Sequence, residues 1–105
     1  MKLMDVMPEL ANEIEKGLIE INENQLAKTV KNLNIAGRCE CGDENCETFY
    51  TLEKEIWSGK KLRQIVPVVD KLYAIDVYEN HLACIEILDR KKVTEKLSEL
   101  FKSNT

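Results

Sequence analysis

Tyr73-Ala74-Ile75-Asp76-Val77-Tyr78 and Leu82-Ala83-Cys84-Ile85-Glu86-Ile87-Leu88 are two alternating runs separated by the polar triplet Glu79-Asn80-His81. Alternation with period two, in β-branched and aromatic residues around a polar turn, is the signature of a β-hairpin. A three-residue connection sets Tyr78 opposite Leu82, Val77 opposite Ala83 and Ile75 opposite Ile85. In that register Tyr73, Ile75, Val77, Ala83, Ile85 and Ile87 share a face suited to burial. Ala74, Asp76, Tyr78, Leu82, Cys84, Glu86 and Leu88 share the other. A two-residue turn would mix the two sets, so the pattern selects the three-residue register.

Working outward, Arg90–Lys102 predicts a closing helix capped by Asp89, with Val93, Leu97, Leu100 and Phe101 turned inward. Upstream, Gln64–Val69 is strand-like, and Pro67, lacking an amide donor, favours an edge or a strand end. Residues 53–63 are undecided: Ser58-Gly59 marks a turn with Trp57 partly exposed beside it, and Lys60, Lys61 and Arg63 form a small basic cluster. Near the start, Leu10, Ile14, Leu18 and Ile21 recur at helical spacing, so 5–21 predicts an amphipathic helix with Asp5 as cap and Pro8 in its first turn. Gly17 weakens that helix while permitting close packing. Asn22 and Gln25 resemble a capping box for a second helix over 23–33, with Leu26, Val30 and Leu33 as its apolar stripe.

Between these helices and the later strands lies Gly37-Arg38-Cys39-Glu40-Cys41-Gly42-Asp43-Glu44-Asn45-Cys46. Residues 34–39 and 47–52 read as strands, and Gly42-Asp43 is a turn signal, so a hairpin with the cysteines at its tip is expected. The order helix, helix, strands, helix predicts one α+β domain over residues 1–105. Its core is an antiparallel β-meander of four to five strands, with an N-terminal helical hairpin and a C-terminal helix packed on one face. At 105 residues the chain is long enough for a single hydrophobic core.

Charge and hydropathy exclude several functions. The net charge of −4 is spread along the chain and no segment is strongly basic, so neither nucleic acid nor an anionic membrane surface is expected as a partner. No apolar run approaches the roughly 20 residues that span a bilayer, and the first residues lack the apolar core of a signal peptide. A cytoplasmic location is the expectation. In a reducing compartment, clustered cysteines point to metal or redox chemistry before structural disulfides.

Cys39, Cys41 and Cys46 follow C-x-C-x4-C, and thiolates so close together suit a soft cation, zinc above all. Three ligands leave a tetrahedral zinc site open, and Cys84 is the fourth candidate, with His81 or a carboxylate such as Asp43 as substitutes. The same thiols suit a Cys39–Cys46 disulfide with Cys41 as resolving thiol, although Glu40, Asp43, Glu44 and Glu47 raise thiol pKa values and oppose it. Free, inert thiols are the third reading, and Cys84 alone is most simply a small packed hydrophobe. Asp76 and Glu86 share the polar sheet face with Tyr78, where a solvated charged face is the plain account and acid–base work the sharper one. Phosphate-loop, nucleophile-elbow and zinc-protease motifs are missing from the sequence.

Gly37-Arg38-Cys39-x-Cys41-Gly42 followed by Cys46-x-Thr48-Phe49-Tyr50-Thr51, with the later Ile85-Glu86-Ile87-Leu88-Asp89-Arg90, resembles a group of small uncharacterised bacterial proteins. The resemblance covers about a quarter of the chain. It implies a bacterial origin and a single α+β domain, and it carries no activity. The resulting expectation is a non-catalytic binding protein that docks a protein partner on the polar sheet face near Trp57, with room for a thiolate metal site. The alternative is a thiol redox or metal-handling protein using the clustered cysteines.

Overall fold

Pro8 decides how the chain begins. The computed structural model describes residues 1–39, 47–69, 72–87 and 91–101. Its first helix, α1 (Leu3–Val6), stops at Met7, whose φ of −134° and ψ of 67° are not helical, and α2 (Pro8–Glu20) starts afresh. A proline disfavours helical geometry in the residue before it and is at home at a first helical position. The single helix expected over 5–21 is therefore two, and Asp5 lies inside α1 rather than capping.

After Asn22, which takes a left-handed φ of 63°, α3 (Asn24–Thr29) runs into a 3-10 turn at Val30–Asn32. No side-chain hydrogen bond caps α3, so the expected capping box is not formed, but Leu26, Val30 and Leu33 are buried as their spacing predicts. Next come β1 (Gly37–Arg38), β2 (Phe49–Tyr50), the short helix α4 (Lys54–Trp57), β3 (Arg63–Ile65), β4 (Leu72–Tyr78), β5 (His81–Ile87) and α5 (Lys91–Leu100). Asp89, the expected cap of α5, lies outside the described residues.

The five strands form one antiparallel sheet in the order β1-β2-β5-β4-β3. β3, β4 and β5 are a meander, and the β1–β2 hairpin is added to the free side of β5 through Phe49↔Ile85 and Tyr50↔Cys84. One face of the sheet meets the helices. There Phe49, Ile75, Val77, Leu82, Ile85 and Ile87 join Leu3, Leu10, Ile14, Leu18, Val93 and Leu97 in a single core. Phe101, expected inward, is 37% exposed just past the last turn of α5. The α+β class, the antiparallel sheet and the helical N- and C-terminal segments are as the sequence predicts.

The β4–β5 turn differs from expectation in an instructive way. Glu79 and Asn80 both take positive φ (43° and 66°), and Tyr78 pairs with His81. This is a two-residue turn whose handedness matches the strand twist. A register shift follows, from Val77↔Leu82 to Asp76↔Cys84, which leaves Ala83 as the extra residue of a bulge. The bulge restores the faces, so Ile75 still opposes Ile85, while Leu82 moves to the core side. A second shift between Leu72 and Ala74 puts Leu72, rather than Tyr73, opposite Ile87.

Candidate functional site

Directly paired residues of an antiparallel sheet project to the same side. The row Gly37, Tyr50, Cys84, Asp76, Gln64 therefore crosses all five strands on the face away from the helices. The pair Ala74↔Glu86 lies one step along on that face. The floor of this outer face is made of small side chains: Ala74 is 1% and Cys84 4% exposed, with Asp76 and Glu86 half-buried around them.

Three strands converge on one polar cluster. The Gln64 side-chain amide of β3 donates to Asp76 Oδ1 of β4 at 3.3 Å and to Glu86 Oε2 of β5 at 3.2 Å. A neutral amide cannot balance two carboxylates. Partial burial, repulsion from Asp76 and a hydrogen bond to Asp76 push the Glu86 carboxyl above its ordinary range, and the Gln64 bond opposes this only in part. Glu86 is thus the acid on this face that holds its proton more tightly than a free carboxyl. Cys84 sits against them. Burial first, then the nearby Asp76 and Glu86, then Cys39, and finally a hydrogen bond donated to Asp76, drive its thiol far above the ordinary value. Cys84 is a buried free thiol, held protonated.

A raised folded-state carboxyl binds protons that the unfolded chain has already lost. The stabilisation from Glu86 is complete below the ordinary carboxyl value and disappears as pH rises through the elevated one. Thermal melts from mildly acidic to neutral pH should show wild type losing stability relative to Glu86→Gln. The difference should stay within about 1 kcal/mol, because half-open charges are screened. A pH-independent difference would mean that the Asp76–Glu86 contact does not shift the acid.

The rim on one side is aromatic. Tyr50 meets Trp57 edge-on at 5.3 Å, and Trp57 Nε1 donates to the Leu52 carbonyl at 2.8 Å. Trp57 is thereby half-buried and fixed at the end of α4, beside the polar row.

The cysteines expected to form the site divide. Cys39 continues β1, its amide donating to the Thr48 carbonyl at 3.0 Å, so the two arms of the cysteine hairpin are paired at its base. Cys41 and Cys46 lie outside the described residues. Cys84 is on β5, and β2 lies between β1 and β5. Two inter-strand spacings, roughly 10 Å, therefore separate the Cys39 and Cys84 backbones, a wide span for thiolates on a single ion. His81 opens β5 three residues before Cys84, about 10 Å along the strand. It lines a separate depression with Thr29, Asn32, Asn34 and Thr51. Among the described residues no three His, Cys, Asp or Glu side chains are grouped to hold a metal ion, and no helix is long and apolar enough to cross a membrane.

Gln64 is the residue sequence reasoning missed. The sequence places Asp76 and Glu86 on one face, but β3 contributes to their surroundings only because it pairs with β4 in this register. No protein-family model matches the chain, and neither the curated proteins nor the solved structures contain a significant match.

Proposed function

We propose that this chain is a cytosolic, non-catalytic binding module whose outer sheet face receives a cationic side chain of a protein partner. The observation that carries this reading is the Asp76–Glu86 pair bridged by Gln64, an acid pair that no cationic side chain among the described residues is seen to neutralise. A guanidinium satisfies two such carboxylates with several charge-assisted hydrogen bonds, and the Tyr50–Trp57 corner offers an aromatic surface for the rest of the contact. The acidic face disfavours nucleic acid. Burial and the neighbouring acids, which keep the Cys84 thiol protonated, disfavour a nucleophilic thiolate at this position.

The test is a titration of isotope-labelled protein with an extended peptide of alternating Arg and Val. Amide shifts confined to the outer rows of β3, β4 and β5, weakened by salt and lost in an Asp76→Asn/Glu86→Gln variant, are the expected result. Equal shifts in both proteins, or none, overturn it.

A second reading draws on the paired base of the cysteine hairpin. There, zinc would be held by Cys39, Cys41 and Cys46, with a fourth ligand other than Cys84 on spacing grounds. Elemental analysis of protein purified without added metal decides between the two. Near-stoichiometric zinc supports this second reading. A reversible two-hydrogen mass change on oxidation instead supports the redox alternative.

A further inference from the structure

The edge of the sheet at β3 is open. β3 pairs with β4 through Arg63↔Val77, Gln64↔Asp76 and Ile65↔Ile75, and among the described residues no strand follows it in the sheet order. From Lys61 to Val66 the backbone makes no hydrogen bond to any other described residue outside that ladder. Just beyond the strand, Val66 is 62% and Val68 74% exposed, more than any other large apolar side chain among the described residues. Protected edges carry charges, prolines or covering elements along their length. Here Lys60 and Lys61 stand at one end and Pro67 at the other, and between them Arg63 is drawn to Glu23 in an ion pair, while the outward backbone of the strand is uncovered by any other described residue.

We propose that this edge is the two-fold interface of a homodimer, in which β3 pairs antiparallel with β3 of a second copy and the two sheets become continuous. Charge selects the occupant. The two ends of the edge differ in sign. Lys60 and Lys61 precede β3, whereas Val68 and Val69 border a depression of about 210 Å³ whose charged lining, among the described residues, is Glu13, Lys16 and Glu20. An antiparallel copy reverses the order, so the basic end of each chain meets the acidic end of the other. A parallel copy would set like against like, and an acidic foreign strand would satisfy the lysines while opposing Glu13 and Glu20. Centring the two-fold on Gln64, the middle of β3, sets Val66 against Leu62 of the second copy and Lys61 against its Pro67. Two exposed valines then leave water, and each copy supplies a strand for the other. The interface is made by the backbone edge of β3 and not by the Asp76 and Glu86 carboxylates, although Gln64 borders both, so the two readings are tested by different variants.

Light scattering and sedimentation over a concentration series provide the test. Wild type should show a concentration-dependent dimer. Val66→Lys, at an exposed position, should remain folded by circular dichroism and weaken association at least roughly tenfold. Lys61→Glu and Glu20→Lys should each weaken it by about fivefold to tenfold, since each acts at both ends of the two-fold. The double variant Lys61→Glu/Glu20→Lys should recover much of the lost association, because the Lys61–Glu20 pair is then reversed at both ends of the two-fold. Asp76→Asn/Glu86→Gln should leave association unchanged. A chain that stays monomeric throughout, a dimer indifferent to Val66→Lys, or a double variant that recovers nothing overturns the proposal. So does a monomer whose edge instead binds an acidic extended peptide.

Discussion

Phe49→Ala should destabilise the protein by about 3–5 kcal/mol, the range for removing a buried ring that its surroundings cannot close over. Phe49 is fully buried. It stands in the row Arg38, Phe49, Ile85, Ile75, Ile65, which crosses all five strands on the side facing the helices. β2 is only two residues long, and Tyr50 points to the other face. Phe49 is therefore the apolar anchor by which β2, and β1 through it, is held to β5. Domains of this size are stable by about 5–15 kcal/mol, so the variant should melt on the order of 15–25 °C lower. Denaturant midpoints at constant slope would measure the loss. Phe49→Leu, which keeps most of the volume, should cost about 1 kcal/mol. Because Cys39 is tied to the Thr48 carbonyl at the start of β2, its alkylation rate should rise in Phe49→Ala well before global unfolding. A loss below about 1 kcal/mol, with Cys39 reacting as in wild type, would show that something other than this ring holds the strand.

Sequence patterning conveys the faces of this fold better than its junctions. Ile75, Val77, Ile85 and Ile87 announce a buried face by alternation alone, and burial against the helices follows from it. The two-residue turn was hidden because Glu79 has no preference for the left-handed conformation it takes, and because a bulge at Ala83 corrects the faces one residue later. Periodicity assumes an uninterrupted ladder and cannot register such a correction. The break at Met7 was readable from Pro8 by the restriction that proline places on its predecessor, but the apolar periodicity running across it argued for continuity. The candidate site divides in the same way. Asp76 and Glu86 lie ten residues apart around one hairpin, so local alternation puts them together. Gln64 reaches them only through strand pairing, which no local pattern encodes. The protonated state of Cys84 depends first on burial, which local alternation places on the opposite face, and only then on Asp76 and Glu86 beside it.

Gly17→Val is the second substitution with a large expected effect, about 2–3 kcal/mol of destabilisation. Gly17 is buried on α2, where the chain leaving β3 crosses the helix. A Cβ at Gly17 would lie 2.7 Å from Val69 Cγ2 and 3.0 Å from Pro67 Cβ, with the Val68 carbonyl oxygen at 3.5 Å. The methyl of Val69 has some freedom to rotate away, but the Pro67 ring has almost none. Any side chain therefore pushes the whole 67–69 connection off the helix. Alanine gains about 1 kcal/mol of helix propensity over glycine, which offsets part of that strain, so Gly17→Ala should lose only about 1 kcal/mol. Valine adds two branches to the same gap and gains less propensity in return. Gly59 separates this packing effect from backbone strain. Its φ is +76° and nothing lies within 4 Å of its missing Cβ, so Gly59→Ala reports left-handed strain alone. If Gly17→Ala stabilises the protein, the crossing has room to spare, and close approach is not why glycine stands there. If both Gly17 variants destabilise in the expected order, the connection that carries Pro67 and Val68 is clamped to α2. The edge of β3 is then held in place from behind by a helical position that only glycine leaves open enough to admit it.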